Sequence, residues 1–346
     1  MSSLNTVEEI LTRIKSLPIM DQARLKDMLF SENESKHLMD EYLEEQRFSD
    51  GRVCPHCGCV HVRKNGHRKN GTQKFICNEC GKSFTLRTDT IFNRTRKGLD
   101  TWQKFMACMA DKKSLDKCAE ICGITHATAF AWRHKVLDAL NASNESSKLG
   151  GVVESDETFF AKSYKGNAQH FEANGERAAR KRGGEIHRRG LSDELVCVPC
   201  AVDNKGNAVS KVAKLGKCSA KALQYALGDA IVPQSTICSD GDSTYKSFAK
   251  SNELKLVQII GGKRSKGEYN IQRINSYHQK LKKFLHGFYG VSTKYLNNYL
   301  LWNNTIEYCK VYLENRLTML SKTIAKVSLT IRTSDLKNRP EVPVIA

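Results

Sequence analysis

The sequence predicts a multidomain α+β protein: a small metal-bound module, a helical pair, and then a larger α/β domain. Three observations carry that expectation. Two Cys-x2-Cys pairs stand close together at Cys54/Cys57 and Cys77/Cys80. A pair of short helical patterns joined by a glycine turn follows at 114–135. Beyond residue 150, apolar runs of strand length alternate with amphipathic stretches of helical period.

With 346 residues, 40% of them hydrophobic, the chain is long enough for two or three domains with a sizeable core. It contains no run of 18 apolar residues, so no transmembrane helix and no membrane partner are expected. The start, Met1 to Glu9, is acidic and lacks the basic start and apolar core of an export signal, which suits a cytoplasmic protein. Thirteen cysteines, an odd number, read as metal ligands rather than a disulfide framework in a reducing compartment.

Charge is unevenly spread. Residues 1–50 hold 6 Lys and Arg against 11 Asp and Glu, a net of −5, which leaves +23 for the rest of a chain whose total is +18. An excess of that size points to a polyanionic partner, most often nucleic acid.

Residues 1–50 form an acidic helical segment. One stripe is Leu4, Val7, Ile10, Leu11 and Ile14, and another is Leu25, Met28 and Leu29. Its charge argues against DNA contact and for docking or oligomerisation. Residues 51–95 read as a zinc ribbon. The four thiolates of Cys54, Cys57, Cys77 and Cys80 match the tetrahedral, soft-ligand preference of Zn²⁺. The spacer holds Asn65-Gly66 and Asn70-Gly71, expected hairpin turns, and the basic residues Arg63, Lys64, Arg68 and Lys69, expected on a DNA-binding face. His56 and Cys59 are competing ligands by type and read as neighbours of the ion or surface residues.

Residues 96–148 read as a helix-turn-helix DNA-binding domain. Gly123 makes the turn and Thr125 caps the second helix. Ile121, Ile124, Ala129, Trp132 and Val136 are expected in its core, with His126, Thr128, Arg133 and Lys135 facing DNA. Asn141–Gly150 is a Ser/Asn/Gly-rich linker.

Residues 149–325 read as the α/β domain, with 326–346 a tail. Expected strands are 152–160, 195–202, 208–214, 235–241 and 255–260, with helices at 219–230, 243–251, 270–285 and 293–324, and a polar loop at 162–192. Cys197 and Cys200 lie in an apolar strand and read as core. Three hairpin-like strands, then helix, strand, helix and strand, is the order of an RNase H-like fold. Such a site gathers acids from its first strand, its fourth strand and a later helix. Asp156 and Asp240 occupy the strand positions, and the helix offers Asn275.

The pieces Cys54-x2-Cys57…Cys77-x2-Cys80-Gly-Lys-Ser-Phe, Glu154-Ser-Asp156-Glu157-Thr, Cys238-Ser-Asp240-Gly-Asp-Ser-Thr-Tyr245 and Ile274-Asn275-Ser-Tyr-His278-Gln-Lys-Leu281-Lys282 stand in a telling order. So do Phe288-Tyr-Gly290 and Asn298-Tyr-Leu-Leu-Trp302. Over roughly residues 50–305 the chain resembles an insertion-sequence transposase of the DDE class with an N-terminal zinc ribbon, in the subgroup with Asn at the third catalytic position and a following Lys. The resemblance implies Asp156, Asp240 and Asn275 as ligands of Mg²⁺ or Mn²⁺, with Lys282 contacting DNA near the cut. It also implies terminal inverted repeats and target DNA as double-stranded partners, a homodimer or larger assembly on DNA, and association with a bacterial nucleoid.

The chemistry fits the residue types. Phosphodiester cleavage and strand transfer are served by two divalent ions about 3.5–4 Å apart on oxygen ligands. Asn275 is a weaker, neutral ligand where most such enzymes have Glu. Glu154, Glu157, Asp242 and Glu268 are alternative acids. Two other readings remain open from sequence: a DNA-binding regulator with an inactive transposase-like domain, and an RNase H-like structure-specific nuclease.

Overall fold

Where the elements lie follows from a computed structural model that describes residues 3–18, 21–22, 25, 43–49, 51–69, 71–143, 148–165, 188–260, 265–311, 320–321, 324–325 and 327–340. The chain divides into two units, Met1–Ser143 with Glu314–Leu336, and Asn144–Leu313 with Lys337–Ala346. The division departs from the expected boundary at 325. Ser321 meets Met106, and Leu329 and Thr330 bond to Asp89, so this segment packs with the N-terminal unit.

In the first unit, α1 (Ser3–Ser16) realises the first apolar stripe as a helix, with Ile10 and Leu11 exposed. Of the second stripe, Met28 and Leu29 lie outside the described residues. Three strands, β1 (Val62–His67), β2 (Gln73–Cys77) and β3 (Ser83–Thr85), form an antiparallel sheet in that order. Its apolar side is small: Phe75 and Phe84 stack at 5.6 Å, with Phe48 edge-on to Phe75 at 5.3 Å. Of the two expected turns, Asn65-Gly66 is not one. It sits inside β1 at a register shift between Lys64 and His67, with Gly66 at φ +63°. The strands are closed by the Arg68 amide donating to the Thr72 carbonyl at 2.9 Å; of the other expected turn, Asn70 lies outside the described residues. An Asn-Gly pair satisfies a bulge as readily as a turn, because both need a residue with positive φ.

Three helices follow: α2 (Leu99–Ala110), α3 (Leu115–Cys122) and α4 (His126–Ala142). Ser114 caps α3 by accepting from the Lys117 amide, and Thr125 caps α4 by accepting from that of Thr128. Gly123 lies between them in the left-handed region, at φ 57° and ψ 43°. Trp102 and Trp132 stack at 3.7 Å across α2 and α4, with Phe105 edge-on to both. That stack fills the core, and two expectations fail against it. Ile121 is 47% exposed rather than buried. Arg133 is buried, donating to the Lys113 carbonyl and the Cys118 sulfur. Arg133 therefore ties α4 to the turn before α3 and is withdrawn from any DNA-facing surface.

The strands of the second unit's sheet are β4 (Val152–Ala161), β5 (Leu195–Asp203), β6 (Ala208–Ser210), β7 (Lys214–Leu215), β8 (Thr236–Ser239) and β9 (Lys255–Gln258). Their order is β6-β5-β4-β8-β9, with β7 also paired to β5. β4, β5 and β6 pair antiparallel, whereas β8 runs parallel to both β4 and β9. The expected strand 208–214 is broken into β6 and β7, both paired to β5 with registers one residue out of step. The break lies opposite Pro199, which has no N–H to give the ladder. An extra residue is accommodated there, and the Val212 amide donates instead to the Asn297 side chain at 2.7 Å.

Helices cover both faces. On one, α5 (Ala220–Leu227) and α6 (Thr244–Ser251) close a core with Val153, Cys197, Ala201 and Ile237. On the other lie α7 (Gln272–His286) and α8 (Leu296–Val311), where the Tyr277 hydroxyl donates to the Asn304 side-chain oxygen at 2.6 Å and accepts from the Ser210 hydroxyl at 2.7 Å. A two-stranded hairpin, β10 (Ser265–Lys266) and β11 (Tyr269–Asn270), precedes α7 and was not foreseen. The expected loop at 162–192 falls largely outside the described residues, as does the expected helix beyond 311 up to residue 319. A short last helix, α9, spans Thr333–Lys337. Among the described residues, no helix is long and apolar enough to cross a membrane.

The turn between α3 and α4 depends on a glycine conformation. Gly123→Ala should cost about 1 kcal/mol, since a side chain is disfavoured at positive φ. Chemical denaturation of the two proteins side by side measures the difference.

Candidate metal centre and candidate active site

Each Cys-x2-Cys knuckle is a tight turn that aims two sulfurs the same way. The Gly58 amide bonds the Cys54 carbonyl at 2.9 Å, and the Gly81 amide bonds that of Cys77 at 3.0 Å. The four sulfurs of Cys54, Cys57, Cys77 and Cys80 lie within 4.8 Å of one another. Across the knuckles, Cys54 to Cys80 is 3.8 Å and Cys57 to Cys77 is 3.6 Å. A tetrahedron with Zn–S bonds of about 2.3 Å has edges of about 3.8 Å, so the donor set fits Zn²⁺ in type, number and spacing. The basic residues Arg63, Lys64, Arg68 and Lys69 are all exposed on β1 and the turn after it, with Lys64 at 4.0 Å from Glu44. A cavity of about 680 Å³ opens between His67, Arg68, Lys69 and Lys74.

The second constellation is organised by strand β4. Side chains alternate across a strand, so Glu154 and Asp156 face α7 while Ser155 and Glu157 face α6. Glu154 is 1% exposed. Its carboxylate accepts from the backbone amides of Arg273 at 2.7 Å and Ile274 at 3.1 Å, and from the Arg273 guanidinium at 2.9 Å. No side chain of α7 itself caps the helix. Glu154 does so from another element, and the charge suits the positive end of the helix. Among the alternative acids, Glu154 is thereby fully committed to holding α7.

That docking aligns α7 with Asp156. Asn275, His278 and Lys282 follow one another at steps of three and four, on one side of the helix. The apolar face of Ile274, Tyr277, Leu281, Phe284 and Leu285 is buried, as its period requires. His278 is buried too, with Nδ1 at 3.8 Å from the Asp156 carboxylate. Asn275 and Lys282 are exposed. Asp240 stands one residue past β8. The parallel register sets Glu154 against Cys238, and two more residues along that register bring Asp156 level with Asp240.

Electrostatics tie the group together. Burial pushes the Asp156 carboxyl up to about 6, the Asp240 charge adding to it, while the Glu157 amide and Lys282 oppose. Burial also pushes Glu157 up to about 7 against a hydrogen bond from the Tyr245 hydroxyl, with Asp156, Asp240 and Asp242 adding. His278 is brought down to about 4, first by burial and then by Lys282. These are carboxylates gathered with little opposite charge.

The remaining alternatives sort by position. Glu157 lies on the α6 face, bonded to Tyr245 at 2.9 Å. Asp242 accepts from the Thr244 amide and hydroxyl, both at 2.8 Å. Glu268 is exposed in the β10–β11 turn beside Tyr269. In the first unit, His126 is exposed at 3.6 Å from Asp116, Thr128 shares a 2.9 Å hydrogen bond with Thr125, and Lys135 is half-buried. Sequence reasoning missed the placement of His278 and the capping role of Glu154. The first was readable as the middle member of the Asn275–Lys282 row, while the second depends on a long-range contact.

Residues 148–302 match the family model of the ISXO2-like transposase domain, and residues 39–83 match that of the transposase zinc-ribbon domain. A mixed-sheet α/β domain with an acidic site, joined to a cysteine ribbon, thus defines a protein of the transposase class. The chain carries the zinc-ribbon and transposase domains of the IS1595 family. An uncharacterized protein in transposable element ISH50 of Halobacterium salinarum is 22% identical over 264 residues, covering 75% of this chain and 86% of that protein. Two solved structures are also similar. A chain of the simian T-cell lymphotropic virus intasome in complex with PP2A regulatory subunit B56 gamma is 14% identical, over 57% of this chain and 67% of that one, with a TM-score of 0.29. The Mos1 mariner paired end complex with Mn is 11% identical, over 63% and 77%, with a TM-score of 0.20. Scores at this level define no shared fold.

Two outcomes follow from the geometry. Glu154→Ala should lower stability of the second unit by roughly 2–4 kcal/mol, for the lost cap and charged hydrogen bonds, and Glu154→Gln by less, both read by denaturant unfolding. Stripping metal from the ribbon with a strong chelator should unfold it, since the metal supplies much of the folding energy of so small a module. Loss of amide dispersion for residues 51–85 on chelation, restored by Zn²⁺, checks this by NMR.

Proposed function

We propose that this transposase is a DDE-class enzyme of the subgroup with Asn in the third position: it cleaves DNA at the ends of its insertion sequence and joins them to target DNA. The observation that carries this reading is the facing of Asp156 by the Asn275–His278–Lys282 row of α7, with Asp240 beside it in the parallel register. The element order, three antiparallel strands followed by two parallel ones with helices on both faces, supports an RNase H-like reading of the second unit.

Asp156, Asp240 and the Asn275 side-chain oxygen are the hard oxygen donors that would hold Mg²⁺ or Mn²⁺. The raised Asp156 carboxyl, a consequence of burial and of Asp240, is what a carboxylate pair awaiting a cation would show. When bound, such ions activate an oxygen nucleophile and offset charge on the leaving 3′-oxygen. Around them the protein positions and orients. Glu154 fixes the start of α7, His278 packs against Asp156, and Lys282 offers its ammonium to a phosphate next to the cut.

DNA ends are bound elsewhere in this reading. Arg63, Lys64, Arg68 and Lys69 of the ribbon present positive charge to the backbone of a terminal inverted repeat. The α3–Gly123–α4 pair acts as a helix-turn-helix, presenting His126, Thr128 and Lys135, with Arg133 serving the fold instead. Both ends must be held at once, so a dimer or larger assembly on DNA is part of the proposal, and residues 1–50 are its candidate contact. The +23 net charge beyond residue 50 supports a nucleic-acid partner.

The test is an in vitro cleavage and strand-transfer assay on the DNA flanking the gene. Asp156→Ala and Asp240→Ala should each abolish cleavage and joining while repeat binding stays close to wild type. Asn275→Ala should impair chemistry strongly, and Asn275→Asp should keep part of it, because the oxygen remains. Repeat binding without cleavage in the wild type would mark a regulator, and cleavage without joining would mark a nuclease. Lys282→Ala should lower the slope of log affinity against log salt by about 1, the value of one phosphate contact.

A further inference from the structure

The ribbon carries a second group of metal-ligating side chains that the tetrathiolate site does not use. Cys59 and His61 lie on the segment between the first knuckle and β1, and Glu79 lies inside the second knuckle, between Cys77 and Cys80. The Cys59 sulfur, a His61 ring nitrogen and a Glu79 carboxylate oxygen all fall within 4.8 Å of one another. His61 Nδ1 is 3.0 Å from Glu79 Oε1, and the His61 backbone amide points at the Cys59 sulfur at 3.3 Å. None of the three side chains is deeply buried.

Two backbone bonds hold these donors in place. The Cys54 amide donates to the Cys59 carbonyl at 2.8 Å, fixing that segment to the first knuckle. The Asn78 amide donates to the His61 carbonyl at 2.9 Å, fixing it to the second. The grouping is therefore a product of the closed ribbon. An exposed His–Glu pair by itself contributes little, and a surface thiol has no need of either. Thiolate, imidazole and carboxylate together are the donor mix that borderline divalent ions accept, and three protein donors leave a fourth position open.

We propose that Cys59, His61 and Glu79 form a second Zn²⁺ site on the ribbon, weaker than the tetrathiolate site and accessible to solvent. It clamps the start of β1 to the second knuckle, and so stiffens the base of the hairpin whose far end carries Arg68 and Lys69. The tetrathiolate site is needed only as the scaffold.

Equilibrium dialysis of the full chain against Zn²⁺, with metal measured per chain, tests this. Wild type should saturate at two equivalents, the second removed by a mild chelator that leaves the first. Cys59→Ser, His61→Ala and Glu79→Gln should each weaken the second equivalent by at least about tenfold, since even a group that only orients a ligand is worth that much. With one equivalent of Co²⁺ per chain, which fills the tighter site alone, the intense sulfur-to-metal absorption of the tetrathiolate site should be unchanged in all three, which shows that the ribbon still folds. Saturation of wild type at one tetrathiolate-bound ion overturns the proposal, as does a triple variant that still binds two. A chain that binds no zinc at all overturns the ribbon itself.

Discussion

One buried carboxylate sets the geometry of the second unit. Glu154 is 1% exposed and makes three hydrogen bonds, all to the first residues of α7. A charge in that position is tolerated only because its partners are complete. The consequence is directional. Because Glu154 grips the helix at Arg273 and Ile274, the helix's phase is fixed, and Asn275, His278 and Lys282 are turned to one side together. Because Asp156 is two residues along the same strand, it shares the face that Glu154 uses. The site is an outcome of one strand's alternation meeting one helix's period.

The opposite face of β4 shows what the alternation excludes. Ser155 and Glu157 turn to α6 and reach Tyr245, at 3.2 and 2.9 Å, although the Glu157 carboxyl still feels the Asp156 and Asp240 charges. Two adjacent acids, Asp156 and Glu157, thus have different partners, His278 for the first and Tyr245 for the second. The ribbon follows a different logic. Its apolar core is a few aromatic rings, too little to hold three short strands, and four sulfurs at tetrahedral spacing supply what packing does not.

Much of this was legible in the sequence, for identifiable reasons. The Cys-x2-Cys spacing, the caps at Ser114 and Thr125, and the 3.6-residue period of α7 are local signals that report local structure. Asp156 was readable because acids interrupt an apolar strand there, and Asp240 because a short apolar strand ends on it. The failures come from tertiary contact. Arg133 reads as a DNA-facing cation until the Lys113 carbonyl and the Cys118 sulfur come within its reach. Ile121 reads as core but is exposed, while the stacked Trp102 and Trp132 pack α2 against α4. Pro199 breaks the partner strand rather than its own, and Asn65-Gly66 satisfies a bulge where a turn was expected. Glu154 is the instructive case: its sequence neighbours suggest a catalytic acid, and only the long-range contact with α7 reveals a cap.

The central claim is that Asp156, Asp240 and Asn275 share one metal site under the control of α7. Anomalous diffraction from crystals of the full chain with an end-repeat duplex and Mn²⁺ measures this directly. The account predicts an anomalous peak between the Asp156 and Asp240 carboxylates, with the Asn275 side-chain oxygen within bonding distance. A peak seated instead on Glu157 or Glu268, or no peak at Asp156 with DNA present, would contradict it.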